Sequence, residues 1–280
     1  MSRRTSLRIN RRTRPRVSPR KSRRMSRRTL GTVLEITVPI VLIAVVWVAS
    51  NRSGTYYYPP LGDILRAFGD LWLFERFGTD VLPSLARLLS GYALAVVTGV
   101  LVGVLLGRFR TARRIASPLV EFLRAIPSTA LIPPAMLVLG VGDTSKIFLI
   151  ALACLWPVLL NTVDGVSGVE PTLVDTGRVY RIGRYDQLRS VVLPAAAPQI
   201  FAGMRTSLSL AVILMVVSEM VASSNGIGYF VLQSQRTFAI VDMWSGIVLL
   251  GIVGYLLNAL FLVVENRVLA WHRGATTGAR

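Results

Sequence analysis

Long apolar runs alternate with short polar segments along most of this 280-residue chain. A helix crosses the hydrocarbon core of a bilayer with roughly 17–25 predominantly apolar residues. Several runs reach that length, and we therefore predict an all-α, polytopic membrane protein with six transmembrane helices. The predicted spans cover approximately residues 33–50, 84–107, 117–140, 147–163, 198–220 and 243–264.

Small residues recur every four positions in the second predicted span. They are Gly91, Ala95, Gly99, Gly103 and Gly107. This spacing leaves one helix face almost bare, so that another helix can approach closely. We expect that helix to belong to the same subunit, and a contact between two subunits is the alternative.

Prolines interrupt the third predicted span. A helix that holds Pro118, Pro127, Pro133 and Pro134 should be kinked or broken. A membrane tolerates this only where neighbouring groups or a cavity satisfy the freed carbonyls. We interpret the span as part of a translocation path, and kinking for packing alone is the alternative.

Polar residues inside apolar runs are the other candidates for that path. Most such residues simply form hydrogen bonds across helices. The candidates are Ser128, Thr129, Asn161, Thr162, Ser207 and Ser209.

Residues 51–83 are expected outside the cytoplasm. The segment LGDILRAFGDLWLF repeats apolar residues at helical spacing, which predicts a helix lying in the membrane interface. Tyr56, Tyr57, Tyr58 and Trp72 suit the headgroup level as aromatic anchors.

The net charge of +18 is concentrated at the N-terminus, where residues 1–32 hold 13 of the 32 Lys and Arg. This tail has no acidic residue and too few apolar ones to fold. We predict a disordered cytoplasmic tail that contacts anionic membrane lipid, with no nucleic-acid partner expected. The segments predicted inside, among them residues 108–124, hold 25 Lys and Arg against 5 outside. Both termini are therefore expected in the cytoplasm.

Several kinds of chemistry are absent from the sequence. There is no P-loop, no metal motif and no nucleophile elbow, and His272 and Cys154 are the only residues of their types. We therefore expect no catalytic residue, no cofactor and no metal. A chain of this kind that moves a solute uphill needs a partner to supply the energy.

The longest polar interval after the first hundred residues is LVDTGRVYRIGRYDQLRSVVLPAAAP, residues 173–198, referred to below as the polar loop. Leu173, Gly177 and Tyr180 would share one face of a short helix, with arginines around it. This pattern favours a contact surface in water. A solvated connector between two spans is the alternative.

The polar loop resembles the EAA loop of the membrane subunits of ATP-driven, binding-protein-dependent importers. Counting back from Leu193 and Pro194 places Asp175 at the glutamate, with Thr176 and Gly177 at the two alanines. Arg181 takes the position of the family's glycine. The nearest glycine, Gly183, follows two residues later, so the turn is expected to be shifted or differently shaped.

Further blocks resemble the nitrate, sulfonate and taurine importer permeases. They include PLVEFLRAIPSTALIPPAMLVLGVGDTSKI, LPAAAPQIFAGMRTSLSLAVILMVVSEM and SSNGIGYFV, within a similarity that spans about residues 82–271. The resemblance implies the type I importer permease fold over residues 84–280, preceded by the tail and by a first helix with its outer segment at 33–83. It also implies an alternating-access mechanism and a small organic anion or nitrate as the solute.

The resemblance also implies the partners. They are a cytoplasmic ATPase, an extracytoplasmic solute-binding protein and a second permease copy, expected to form a homodimer. The residues expected to couple to the ATPase are Asp175, Gly177, Arg178, Tyr180, Arg181, Gly183, Leu193 and Pro194.

Two other classes of protein stay open. A secondary transporter or channel would explain the hydropathy, and it predicts inverted repeats and ionisable residues at the midplane. A membrane-anchored RNA-binding or scaffold protein would explain the basic tail.

Overall fold

Helices make up nearly all of the regular structure of the protein. The computed structural model describes residues 37, 38, 41, 44, 45, 47–52 and 54–271, and no strand occurs among them. The chain divides into two compact units, residues 1–49 and 50–280. In the first unit the described residues are helical. The predicted basic tail, half of the first predicted span and His272 lie outside the described residues.

The helices of the second unit follow one another closely. In chain order they are α1 Leu61–Asp70, α2 Leu82–Arg108, α3 Arg110–Ala125, α4 Ile132–Leu139, α5 Asp143–Ser167, α6 Pro171–Val179, α7 Arg184–Gln187, α8 Leu193–Ala222, α9 Ile227–Arg236 and α10 Ile240–Val268. Short π-helical or 3₁₀ turns adjoin several of them, at Leu71–Glu75, Phe77–Val81, Ser128–Leu131 and Leu188–Val192.

Four continuous helical stretches of the described chain are long and apolar enough to cross a membrane. They are Phe77–Arg108, Asp143–Ser167, Arg184–Val221 and Ile240–Val268. The stretches Arg110–Ala125 and Ser128–Leu139, which contain α3 and α4, are long and apolar enough only as a pair, bent by 80° as a broken span or a re-entrant loop. The all-α prediction is confirmed, and so is the expectation that the proline-rich third span is broken.

The third span begins earlier than predicted. The predicted third span starts at about residue 117, whereas α3 starts at Arg110. Ala112, Ala116 and Val120 on α3 pack against apolar residues of α2 and α5. Packing of this apolar face stabilises a helix from Arg110 onward, through the arginine-rich residues that precede the predicted span.

Helix α5 lies at the centre of the bundle, between α2 and α8. The glycine repeat of α2 faces α5: an added Cβ would lie 2.8 Å from Ile150 Cβ at Gly91, 3.0 Å from Val158 Cβ at Gly99 and 2.6 Å from Thr162 Cβ at Gly103. The two helices run parallel, because the contact partners on α5 rise in number from 150 to 162 as the glycines on α2 rise from 91 to 103. The repeat is therefore a contact within one subunit, as predicted.

Gly103→Leu is expected to destabilise the bundle strongly. Even the first side-chain carbon would overlap Thr162, so α2 and α5 must separate, and overpacking typically costs about 1–3 kcal/mol. Thermal unfolding of the detergent-purified protein measures the effect. The matched control is Val102→Leu, because Val102 is 41% exposed and its change should stay within about 0.5 kcal/mol. Equal melting temperatures for the two variants would contradict the close contact.

Trp72 does not lie at the membrane surface as predicted. Its side chain is 2% exposed and its indole N–H donates to Ser245 Oγ at 3.1 Å. The ring packs edge-to-face on Phe230, with centroids 4.8 Å apart. The apolar face of the amphipathic segment thus packs on α9 and α10, and the prediction of an interfacial Trp72 anchor is wrong.

Candidate functional site: the polar loop, the Glu219 cluster and the break between α3 and α4

The polar loop folds as a short helix closed by a tight turn. Helix α6 ends at Val179, and the chain then reverses through Tyr180, Arg181 and Ile182. The Ile182 amide donates to Gly177 O at 3.0 Å, and the Arg181 amide donates to Arg178 O at 2.9 Å. This pair of bonds defines a Schellman motif, which places its left-handed residue directly after the helix cap. That residue is Arg181, with φ of +55°.

The turn therefore stays at the position where the family has glycine. Gly183 has φ of −58° and precedes α7, so the prediction of a turn shifted to Gly183 is wrong. An arginine in the left-handed conformation carries a steric penalty that a glycine would not have.

Arg181→Gly is expected to stabilise the turn by up to about 1 kcal/mol, which corresponds to roughly fivefold slower hydrogen exchange. The amides to follow are those of residues 181 and 182, because both donate the bonds that close the turn. Gly183→Pro should leave their exchange unchanged, since the φ of Gly183 fits proline and its amide donates no hydrogen bond within the described residues. Faster exchange in Arg181→Gly would contradict the assigned conformation.

Gln187 stabilises the polar loop from its buried side. It is buried, and its Nε2 donates to Val174 O at 2.5 Å. A Cβ on Gly177 would lie 2.9 Å from the same nitrogen. Gly177 therefore faces inward, and the expectation that it shares an exposed face with Tyr180 is wrong. Nothing in the spacing of the loop singled out Gln187, because its role depends on the return of the chain after the turn.

The outward side of the loop is aromatic and basic. Tyr180 is 77% exposed, and Val179 and Tyr185 are similarly exposed. Arg178 pairs with Asp175 at 2.8 Å on the surface of α6. Leu193 begins α8 and Pro194 lies in its first turn, where a proline is compatible with the helix. The loop thus presents an exposed aromatic and basic surface, and Leu193 and Pro194 belong to the following span.

A buried polar cluster joins α2, α5 and α8 at the opposite end of the bundle. We call it the Glu219 cluster: Ser84, Arg87, Asp143, Glu219 and Asn225. The Arg87 guanidinium donates to Glu219 Oε1 at 2.8 Å, to Asp143 Oδ1 at 2.7 Å and to Asn225 Oδ1 at 2.6 Å. Ser84 Oγ donates to Glu219 Oε1 at 2.7 Å. Arg87 and Glu219 are almost completely buried, with side chains 4% and 0% exposed, and they form a buried ion pair.

Two glycines let the turn before α9 close over Glu219. Gly226 has φ of +116°, and a Cβ there would lie 2.5 Å from Glu219 Cδ. The Gly228 amide donates to Glu219 Oε2 at 3.0 Å, and the Gly226 amide donates to Asp80 Oδ1 at 2.7 Å. The carboxylate is therefore held by a side-chain hydroxyl, a guanidinium and a backbone amide together.

The six candidate path residues do not form one site. Thr162 and Ser207 are buried and bond to the backbone of their own helices, at Val158 O and Met204 O, so their predicted place on a path is wrong. Asn161 accepts a hydrogen bond from Gln199 at 2.9 Å across α5 and α8. Ser209 is exposed on α8.

Ser128 and Thr129 line an open cavity at the break between α3 and α4. The cavity has a volume of about 410 Å³ and also includes Arg124 and Trp156. Arg124 had been counted among the charges of a cytoplasmic segment. No spacing signal placed Arg124 at the break, because its position depends on the packing of α3 against α5. Among the described residues, no group of His, Cys, Asp and Glu could hold a metal ion.

The comparisons with known proteins agree with this architecture. Residues 95–270, more than half of the chain, match the family model of binding-protein-dependent transport system inner membrane components. The chain is 31% identical over 244 residues to the putative aliphatic sulfonates transport permease protein SsuC of Bacillus subtilis, covering 86% of this chain and 88% of that relative. It is 29% identical over 246 residues to the nitrate import permease protein NrtB of Synechocystis sp., covering 84% and 89%.

A solved structure shares the fold. A chain of the inward facing MetNI methionine ABC transporter superposes with a TM-score of 0.58 at 21% sequence identity, over 68% of this chain and 93% of that chain. The type I importer permease fold and the expected role as a membrane subunit are confirmed. The chain belongs to the family of binding-protein-dependent inner membrane components, the multi-pass permease subunits of ATP-driven importers.

Proposed function

We propose that the polar loop is the surface through which this permease contacts its cytoplasmic ATPase, with Tyr180 as the apolar anchor. The observation that carries the proposal is the exposed aromatic face on a turn fixed by the Schellman bonds and by buried Gln187. Tyrosine and arginine are the residues that most often dominate the binding energy of protein interfaces. Asp175, Arg178 and Arg181 surround the anchor and can set its orientation on the partner.

Two copies of the chain form the translocation path in this proposal. Helices α3 and α4 leave large apolar side chains exposed in one subunit, among them Leu119, Phe122, Leu137 and Val138. In a homodimer part of this surface meets the second copy, and the rest contacts lipid. ATP binding to the partner subunits favours the outward-facing arrangement, and a strong shift of populations needs a difference in affinity of about 5 kcal/mol. The permease itself contributes no catalytic residue.

The solute is a small anion delivered by an extracytoplasmic binding protein. The relatives named for aliphatic sulfonates and for nitrate support this class. A thermal-shift screen of the partner binding protein tests it, with taurine, aliphatic sulfonates and nitrate as probes. We expect at least one anion to raise the melting temperature of the binding protein and to be taken up by the assembled importer. Stabilisation by neutral or cationic solutes alone would contradict the proposal.

Both termini lie in the cytoplasm in this arrangement, and the basic tail contributes to orientation and not to transport. Deleting residues 1–28 leaves 12 Lys and Arg in the proposed cytoplasmic segments against 5 outside, so the topology should persist. We expect unchanged uptake per inserted molecule. The measurement is solute uptake normalised to the amount of membrane-inserted protein, and loss of transport at normal insertion would show that the tail takes part in it.

A further inference from the structure

The break between α3 and α4 opens halfway along the bundle. Ile126 and Pro127 are extended, because a proline disfavours helical geometry in the residue before it. The cavity at the break is bounded by Ala153, Trp156 and Pro157, which lie at the middle of the 25-residue helix α5. The break therefore lies near the centre of the span, far from either end.

Arg124 brings a positive charge to this depth. Its side chain is 46% exposed, and it pairs with Glu121 on the same helix at 2.6 Å. A charged side chain at the bilayer centre is costly in contact with lipid, so such residues almost always face a water-filled cavity or the interior of a bundle. Because Arg124 lines the open cavity, we expect the exposed part of its side chain to meet water in that cavity and not hydrocarbon.

Three neutral donors line the same cavity. They are the hydroxyls of Ser128 and Thr129 and the indole N–H of Trp156. Within the part of the chain that the structure describes, none of the three donates a hydrogen bond to the protein. Arg124 donates to Glu121 Oε2 from Nε and from Nη2. The third guanidinium nitrogen, Nη1, takes no part in this ion pair. Four residues with donor groups thus line one cavity, and not all of those donors have an acceptor within the described chain.

The rest of the cavity wall is apolar. Pro157 and Leu160 on α5 and Leu210 and Leu214 on α8 form it. A ligand that satisfies the whole surface needs oxygen acceptors at one end and a carbon chain at the other. Arginine matches such an end well, because its planar fork donates two parallel hydrogen bonds to an oxyanion.

We propose that Arg124, Ser128, Thr129 and Trp156 form an anion-binding site in the translocation path, which holds the oxyanion end of an organic anion while the apolar wall holds its carbon chain. This site rests on the proposed anionic substrate class, and it assigns selectivity for that class to the permease as well as to the binding protein.

The test uses the complete importer, reconstituted in proteoliposomes with its ATPase and binding protein. The probe is radiolabelled butanesulfonate, and the readouts are ATP-dependent uptake and the amount of ATPase that co-purifies. Arg124→Gln is expected to lower uptake about tenfold or more, because it removes a charge-assisted hydrogen bond to the passing anion. Arg124→Lys keeps the charge and should retain several times more uptake than Arg124→Gln.

Arg110→Gln is the matched control, since Arg110 is exposed at the far end of the same helix. It should transport like the wild type. If the wild type takes up no butanesulfonate, an organic anion with a carbon chain is not the solute and the site fails, while nitrate uptake would leave the wider anion class standing. If the wild type transports and Arg124→Gln equals it, or if Arg124→Lys and Arg124→Gln lose uptake equally, the site alone is overturned.

A second variant covers the case in which Arg124→Gln does not assemble with the ATPase. The double variant Ser128→Ala/Thr129→Ala removes only the two hydroxyls and leaves the charge pair with Glu121 intact. It is expected to assemble normally and to lower uptake severalfold. Uptake equal to the wild type would overturn the assignment of these hydroxyls and of the site.

Discussion

Arg87→Ala is expected to be among the most destabilising single substitutions in the described bundle. It leaves the fully buried Glu219 carboxylate without its guanidinium partner, and breaking a buried ion pair in this way typically costs about 3–5 kcal/mol. The loss should be large because the same guanidinium also joins Asp143 and Asn225, and with them the ends of α2, α5 and α8. Thermal unfolding of the detergent-purified protein measures it.

A surface pair provides the control for this prediction. Arg66→Ala removes a pair with Asp63 at 3.5 Å in which both side chains are solvent-exposed, and such pairs contribute at most about 1 kcal/mol. The loss of stability in Glu219→Gln should lie between those of Arg87→Ala and Arg66→Ala, because Arg87 keeps Asp143 as a partner. If Arg87→Ala and Arg66→Ala have equal melting temperatures, the Glu219 cluster does not hold these helices together.

Tyr180→Ala is expected to abolish productive contact with the ATPase while leaving the permease folded. Truncating a central aromatic of an interface often costs about 2 kcal/mol or more, which is about a thirtyfold loss of affinity. Tyr180 is 77% exposed, and the bonds that close the turn are backbone bonds of residues 181 and 182. Binding of the ATPase in a titrated pull-down and solute uptake should therefore fall together.

Tyr57→Ala serves as the matched variant. Tyr57 is also an exposed tyrosine, but it lies in the segment before α1, far along the chain from the polar loop. It should bind the ATPase like the wild type. Gly177→Arg tests a different point: its side chain would displace Gln187, so it should lose the ATPase through a distorted loop. Full ATPase binding by Tyr180→Ala would favour the solvated connector instead.

Local patterns predicted the features that depend on neighbours in sequence. The four-residue glycine repeat marked the face of α2 that meets α5, because helical periodicity places those residues on one line. Pro127 marked the break in the third span, because its ring constrains the residue before it. Leu193 and Pro194 marked the start of α8 for a different reason: proline is compatible with the first turn of a helix, where its missing N–H has no intrahelical acceptor.

Features that depend on distant segments were not predictable in the same way. Tryptophan is a residue type typical of interfacial anchors. Trp72 is buried because α9 and α10 pack against it, which the local sequence does not reveal. Arg124 is one arginine among several near the start of a span, and only the fold brings it to Trp156. Arg181 differed from the family's glycine, yet it keeps the left-handed geometry because the hydrogen bonds of the turn outweigh the local steric penalty.

The most direct test of the central claim is solute uptake into proteoliposomes that contain the permease with and without its ATPase. Each sample carries the binding protein outside and is measured with ATP or ADP enclosed. For an importer permease, accumulation requires both the ATPase and enclosed ATP, and it falls when Tyr180→Ala replaces the wild type. Accumulation driven by an ion gradient in the absence of the ATPase would contradict the account and identify a secondary transporter.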